Sequence, residues 1–211
     1  MKTVLFVAYG SGHIKMVVPL AQALAANGMA KPVVLALSRI GKVAAATTAA
    51  ALVERFGVAR VVFTGVAGGV GPGVRVGDVV LGHAFVQHDM DASPLFPRYE
   101  IPLYGQTCFP GDTDLTALLA QACQTALVRM KPSALVPYPP SLHAGLIASG
   151  DRFVSGAEEV SRLVSALRAG GHQPMAVEME GAAVAQVCAD YGVPFAAVRT
   201  ISDRADDTAH V

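Results

Sequence analysis

Two acidic clusters flank an apolar stretch near the carboxyl end of the chain: Val177-Glu178-Met179-Glu180, and Ser202-Asp203. Carboxylates can give up or accept a proton, so three of them facing one crevice would make a reactive site. Period-two alternation at the end of a short strand puts Glu178 and Glu180 on one side and Val177 and Met179 on the other. Gly181 to Tyr191 then follows helical spacing, with Ala183, Val184, Val187 and Cys188 as its apolar stripe, and Gly192 and Pro194 stop it. Pro194 to Thr200 is an apolar run of strand length, and Ser202-Asp203 is expected just past its end. Ligands of open α/β sheets bind outside the carboxyl ends of strands, which would bring the three carboxylates to one crevice. Taken singly, each is equally a solvated edge residue, and Glu180 could simply favour the positive end of the helix that follows it.

The elements that must position these groups alternate along the chain. Thr3 to Ala8 reads as a strand, turned by Gly10-Ser11-Gly12 into a helix from Ile14 to Asn27. Pro32 to Leu37 is a second strand, Val43 to Phe56 an alanine-rich helix, and Arg60 to Thr64 a third strand running into Gly65-Val66-Ala67-Gly68-Gly69. Glycine there would let backbone approach a ligand without an intervening Cβ, although a bend at a strand end needs the same residues. Val79 to Gln87 is a strand, followed by a long loop to Gly111 with Phe96, Tyr99, Tyr104 and Phe109. His88, followed by Asp89 and Asp91, is too sparse a set to hold a metal. A helix from Asp114 to Met130, capped by Asp112 or Thr113, a proline-rich link, a strand His143 to Ala148 and a helix Ala157 to Arg168 complete the order. This alternation predicts one α/β domain over residues 1–211, with a mostly parallel or mixed central sheet flanked by helices.

The chain has 211 residues, 53% hydrophobic and 15% charged, enough for one sizeable core and apolar enough to predict surface buried between subunits. Its 16 basic residues balance 16 acidic ones, which favours neither nucleic acid nor an anionic membrane as partner. No stretch reads as a membrane helix or signal peptide, and the three widely spaced cysteines suit reduced thiols in a cytoplasm.

VEMEGAAVAQVC followed by VRTISD, SRIGKVAAATTAAALVERFGVARVVFTGVAGG, and the loop Ser149-Gly150-Asp151-Arg152-Phe153-Val154 resemble the nucleoside phosphorylase and nucleosidase superfamily. Within it the likeness is to the methylthioadenosine/S-adenosylhomocysteine nucleosidases, over roughly residues 36–211. The resemblance implies cleavage of a purine N-glycosidic bond by a cytoplasmic homodimer without cofactor. It makes Asp203 the general acid toward purine N7, oriented by Ser202, and Glu180 the acceptor of the ribose hydroxyls. Met179 would pack on the sugar with Glu178 beside it, Phe153 would stack on the base, and the backbone at Val154 would read its edge. Ala67 and Gly68 would form the close backbone wall, and the long loop would lie at the dimer interface. An acid at Asp203 must keep its proton near neutral pH, which burial or the nearby glutamates would favour.

The family's water-activating glutamate has no counterpart, since no acidic residue precedes Glu54. His13 could serve as base; alternatively Ser11, Gly12 and Arg39 would hold phosphate as co-substrate, as in a phosphorylase, or the chain binds nucleosides with weak or lost catalysis. The first thirty-five residues are atypical for the family and look like the opening of some nucleotide-sugar glycosyltransferases. The family's final helix has no counterpart before Val211, as expected of a divergent or truncated member.

Overall fold

A computed structural model describes residues 2–7, 33–130 and 137–205. The expected first helix, the glycine turn with Ser11, Gly12 and His13, and most of the proline-rich link lie outside them. In chain order the elements are β1 (Lys2–Val7), β2 (Val33–Leu37), α1 (Lys42–Phe56), β3 (Val58–Gly69), β4 (Val79–Gln87), β5 (Cys108–Pro110), α2 (Thr113–Arg129), β6 (Leu142–Ser149), α3 (Ala157–Ala169), β7 (Pro174–Glu178), α4 (Gly181–Asp190) and β8 (Phe195–Asp203).

Their ends have local causes. The Asp112 side chain accepts the Leu115 N–H at 2.8 Å and starts α2. Gly57, in the left-handed conformation, closes α1 by donating its N–H to the Val53 carbonyl. Phe63, Phe85, Ile147 and Val184 pack between sheet and helices with no exposed surface, in the main core cluster.

The strands fall into two parallel sets of opposite sense. One runs β2, β1, β3, β8; the other β4, β6, β7. The sets join antiparallel at β3 with β7 and at β4 with β8, so that β3, β7, β6, β4 and β8 close a ring. Strands β3 and β7 overlap only through their carboxyl ends, Gly68 opposite Val177 and Gly69 opposite Ala176. Two sets pointing in opposite directions therefore present their carboxyl ends to a common place. The crevice expected of an open parallel sheet forms here at the seam of a mixed one.

Two strands run further than their sequence patterns suggest. Strand β3 continues through Gly65–Gly69 rather than turning at Thr64, and β8 continues through Asp203 rather than ending at Thr200. The glycines serve strand-to-strand approach. A Cβ at Gly68 would lie 2.6 Å from the Ala205 Cβ and 3.0 Å from the Asp203 Oδ1. In contrast, β7 stops at Glu178, so Glu180 belongs to the start of α4 and not to the strand. The long loop after β4 is partly ordered by core packing: Tyr99, Ile101 and Phe109 are buried, and β5 pairs with β4. Among the described residues no helix is long and apolar enough to cross a membrane.

Candidate functional site

At the seam, a pocket open to solvent is walled by Ala67, Gly68, Phe153, Val154, Glu178, Met179, Glu180, Ser202 and Asp203. Every residue inferred from sequence for acid, ribose and base contacts thus reaches one cavity. Ile40, Val66, Arg152 and Val177 also line it and were not foreseen. Arg39, proposed for phosphate, is exposed and does not line it.

Register explains the juxtaposition. Gly68 lies opposite Val177 on one edge and opposite Asp203 on the other, so β3 carries the acid of β8 to the end of β7. The Asp203 carboxylate accepts the Ser202 hydroxyl at 2.6 Å on Oδ2 and the Ala205 N–H at 2.6 Å on Oδ1. Both contacts fix the carboxylate plane while leaving the group partly open to the pocket.

Glu178 and Glu180 are both buried but face different tasks. Glu178 is saturated from within: its Oε1 accepts the Ser149 hydroxyl, and both oxygens accept the Gly181 N–H at 2.9 Å. Its Oε2 also takes the Glu180 N–H at 3.2 Å and the Arg199 Nη2 at 2.6 Å. Glu178, not Glu180, therefore satisfies the first N–H groups of α4. Arg199, with no exposed surface, lies 4.1 Å from the centre of the Phe63 ring and completes the buried pair. The Ser149 hydroxyl also accepts the Ala182 N–H at 2.7 Å, tying the end of β6 to α4.

Glu180 keeps more capacity. One oxygen, Oε1, accepts the Gly41 N–H at 2.9 Å, and the carboxylate borders the cavity. Burial, then the neighbouring charge of Glu178, pushes its carboxyl above the ordinary glutamate value of 4.5, outweighing the Gly41 N–H and Arg199. A carboxyl raised on folding contributes stability that is complete below its unfolded value and is lost as pH rises through its folded value. Glu180→Gln, which keeps an acceptor for Gly41, should therefore melt above the parent at pH 7, by about 0.5–2 kcal/mol. Thermal melts from pH 4 to 8 should show that margin growing as pH rises above the ordinary glutamate range; a margin that shrinks with pH would contradict this reading.

Phe153 is 54% exposed at the mouth, an aromatic face open to solvent, whereas Val154 beneath it is buried. His88 is buried beside this loop, its ring against Gly150, and burial holds its imidazole below the usual range. Its neighbour Asp89 is paired with Lys42 at 2.6 Å. Among the described residues no group of three or more metal-ligating side chains is assembled.

The chain as a whole is similar to known proteins. A 5′-methylthioadenosine/S-adenosylhomocysteine nucleosidase of Actinobacillus succinogenes is 39% identical over 180 residues, 85% of this chain and 71% of that protein. An aminodeoxyfutalosine nucleosidase of Helicobacter pylori is 36% identical over 185 residues, 86% of this chain and 71% of that protein. The crystal structure of the Neisseria meningitidis 5′-methylthioadenosine/S-adenosylhomocysteine nucleosidase with methylthio-immucillin-A superposes with a TM-score of 0.81 at 32% identity, covering 100% of this chain and 89% of that one. With the phosphorylase-superfamily model matching residues 17–211 as well, the chain belongs to the phosphorylase superfamily.

Proposed function

We propose that the protein is a purine nucleosidase that hydrolyses the N-glycosidic bond of 5′-methylthioadenosine, S-adenosylhomocysteine or a closely related nucleoside. The observation that carries this reading is the opposition, across one pocket, of a buried Glu180 and a hydrogen-bonded Asp203, with Phe153 at the mouth. As the bond lengthens the ribose becomes cationic and the purine gains negative charge, so a site must serve both ends. Asp203 gives its proton to purine N7, and Ser202 orients it. Glu180 accepts the ribose 2′- and 3′-hydroxyls through the oxygen that Gly41 leaves free, and its charge favours the cationic sugar. Phe153 stacks on the base, the Val154 backbone reads its edge, and the Ala67-Gly68 backbone lets it lie close to β3. Met179 packs on the sugar. Glu178 acts from beside the ligand, its oxygens already engaged.

No cofactor is needed for these steps. The nucleophile is water in this reading; phosphate is the second choice, on the observation that no acidic residue precedes Glu54. Exposed Leu37, Ile40, Val43, Leu95 and Leu103 around the pocket and its neighbouring loop support a homodimer. The deciding experiment is chromatographic, with methylthioadenosine, S-adenosylhomocysteine, adenosine and inosine, each with and without phosphate. Free base and unphosphorylated sugar in both conditions is the expected result. A sugar 1-phosphate formed only with phosphate would make the enzyme a phosphorylase, and base release from none would overturn both.

A further inference from the structure

We infer that Lys42, Asp89 and Asp151 form a charged clip that positions the base-stacking and ribose-binding groups as one unit, so that recognition of the ribose hydroxyls depends on Asp151, which touches no substrate. The inference rests on the nucleosidase reading above and extends it to residues outside the reacting centre.

Three separate loops meet at the clip. The Lys42 ammonium follows β2, Asp89 follows β4, and Asp151 follows β6. Lys42 Nζ donates to Asp89 Oδ1 at 2.6 Å and to Gln87 Oε1 at 3.1 Å. Asp89 Oδ2 accepts the Asp151 N–H at 2.9 Å. Asp151 Oδ1 in turn accepts the Lys42 N–H at 2.7 Å, which closes a loop of contacts. On each open side this loop leads to the pocket: Gly41 precedes Lys42 and donates to Glu180, which lines the pocket, and Phe153, which also lines it, lies two residues after Asp151.

The geometry makes Asp151 the controlling member. Gly41 sits at φ 95°, a conformation that glycine alone adopts readily, and a Cβ there would come 3.1 Å from the Asp151 Oδ1. That backbone aims the Gly41 N–H at Glu180, and the next N–H, of Lys42, is held by Asp151. The carbonyl of the same peptide accepts the Ala45 N–H at 3.1 Å, so Asp151 supplies its second anchor. Removing the Asp151 acceptor loosens the orientation in which the Gly41 N–H occupies Glu180 Oε1, and with it the aim of the second oxygen at the hydroxyls. A loop carrying the aromatic wall and a loop carrying the support of the carboxylate are otherwise independent in sequence.

Because the Asp151 side chain is 51% exposed and its ion pair with Lys42 is long, at 4.0 Å, that pair adds little to global stability. Asp151→Ala should therefore fold and melt close to the parent. It should lower kcat/KM for methylthioadenosine about tenfold, mostly through KM, yet lower that for the 2′,3′-dideoxy counterpart about twofold or less, since the lost support acts through the hydroxyl contacts of Glu180. Asp151→Asn, whose amide oxygen can still accept the Lys42 N–H, should return both values to within about twofold of the parent. A merely structural role would depress both substrates equally. Equal losses, no loss with either substrate, or an Asn variant as damaged as the Ala variant, would each overturn the clip. Base release from neither nucleoside by the unaltered protein would overturn the nucleosidase reading itself, a result distinct from all of these.

Discussion

Asp203→Asn should cut the rate of base release by about 10²–10⁴-fold, the usual span for removing a positioned general acid, while nucleoside binding stays within a few-fold. The separation of the two effects follows from the contacts of this side chain. An asparagine keeps an oxygen for the Ala205 N–H, and the Ser202 hydroxyl can turn to accept from the new amide instead of donating. The shape of the pocket wall is thus retained, and what is lost is a proton that an amide cannot deliver. Single-turnover base release measures the first effect, and calorimetry with a non-cleavable nucleoside analogue measures the second. Unchanged turnover would move the acid elsewhere, and a parallel loss of binding would mean that Asp203 holds the ground state.

The second large effect is on folding. Arg199→Met should destabilise the protein by about 3–5 kcal/mol, because it leaves the Glu178 carboxylate buried without its cation. Methionine roughly fills the volume and keeps contact with Phe63, so the loss reports charge more than packing. For a domain of this size the melting temperature should fall by about 10 °C. The companion change Glu178→Gln in the same chain should restore much of the loss, since neither partner then carries a stranded charge. A fall below about 1 kcal/mol for Arg199→Met would show that the Ser149 hydroxyl and the Gly181 and Glu180 N–H groups hold the carboxylate without help.

How far these groups could be read from the chain depended on where their causes lie. Glu180, Asp203 and Phe153 stand at or just beyond strand ends, where local pattern changes from apolar run to polar turn, and their meeting follows from a rule about strand ends. Asp112 announced the start of α2 by its side-chain chemistry, and the structure has the bond. Arg199 was passed over, although a single charge inside the apolar run Ala196 to Ile201 is itself a signal: a buried arginine requires a buried partner. The added length of β3 and β8 was not legible, because glycine after a strand reads as a turn until the strands that crowd it are known. Closure of the ring was equally hidden. It depends on β8 pairing with both β3 and β4, a long-range choice that no local periodicity encodes. The division of labour between Glu178 and Glu180 was missed for the same reason, since alternation treats them alike and only Gly41 and Arg199 distinguish them.

The ring also gives the pocket one stiff side and one soft side. Strand β8 is hydrogen-bonded along β3 as far as Asp203 and along β4 from Ala197 to Thr200, so displacing the acid means breaking a ladder on two edges. The facing wall around Phe153 has no ladder between Gly150 and the start of α3; Asp151, the Arg152–Glu159 ion pair at 2.7 Å and the burial of Val154 help to hold it. Any breathing of the cavity should therefore be one-sided, with the wall around Phe153 moving while β8 keeps the Asp203 carboxylate in place.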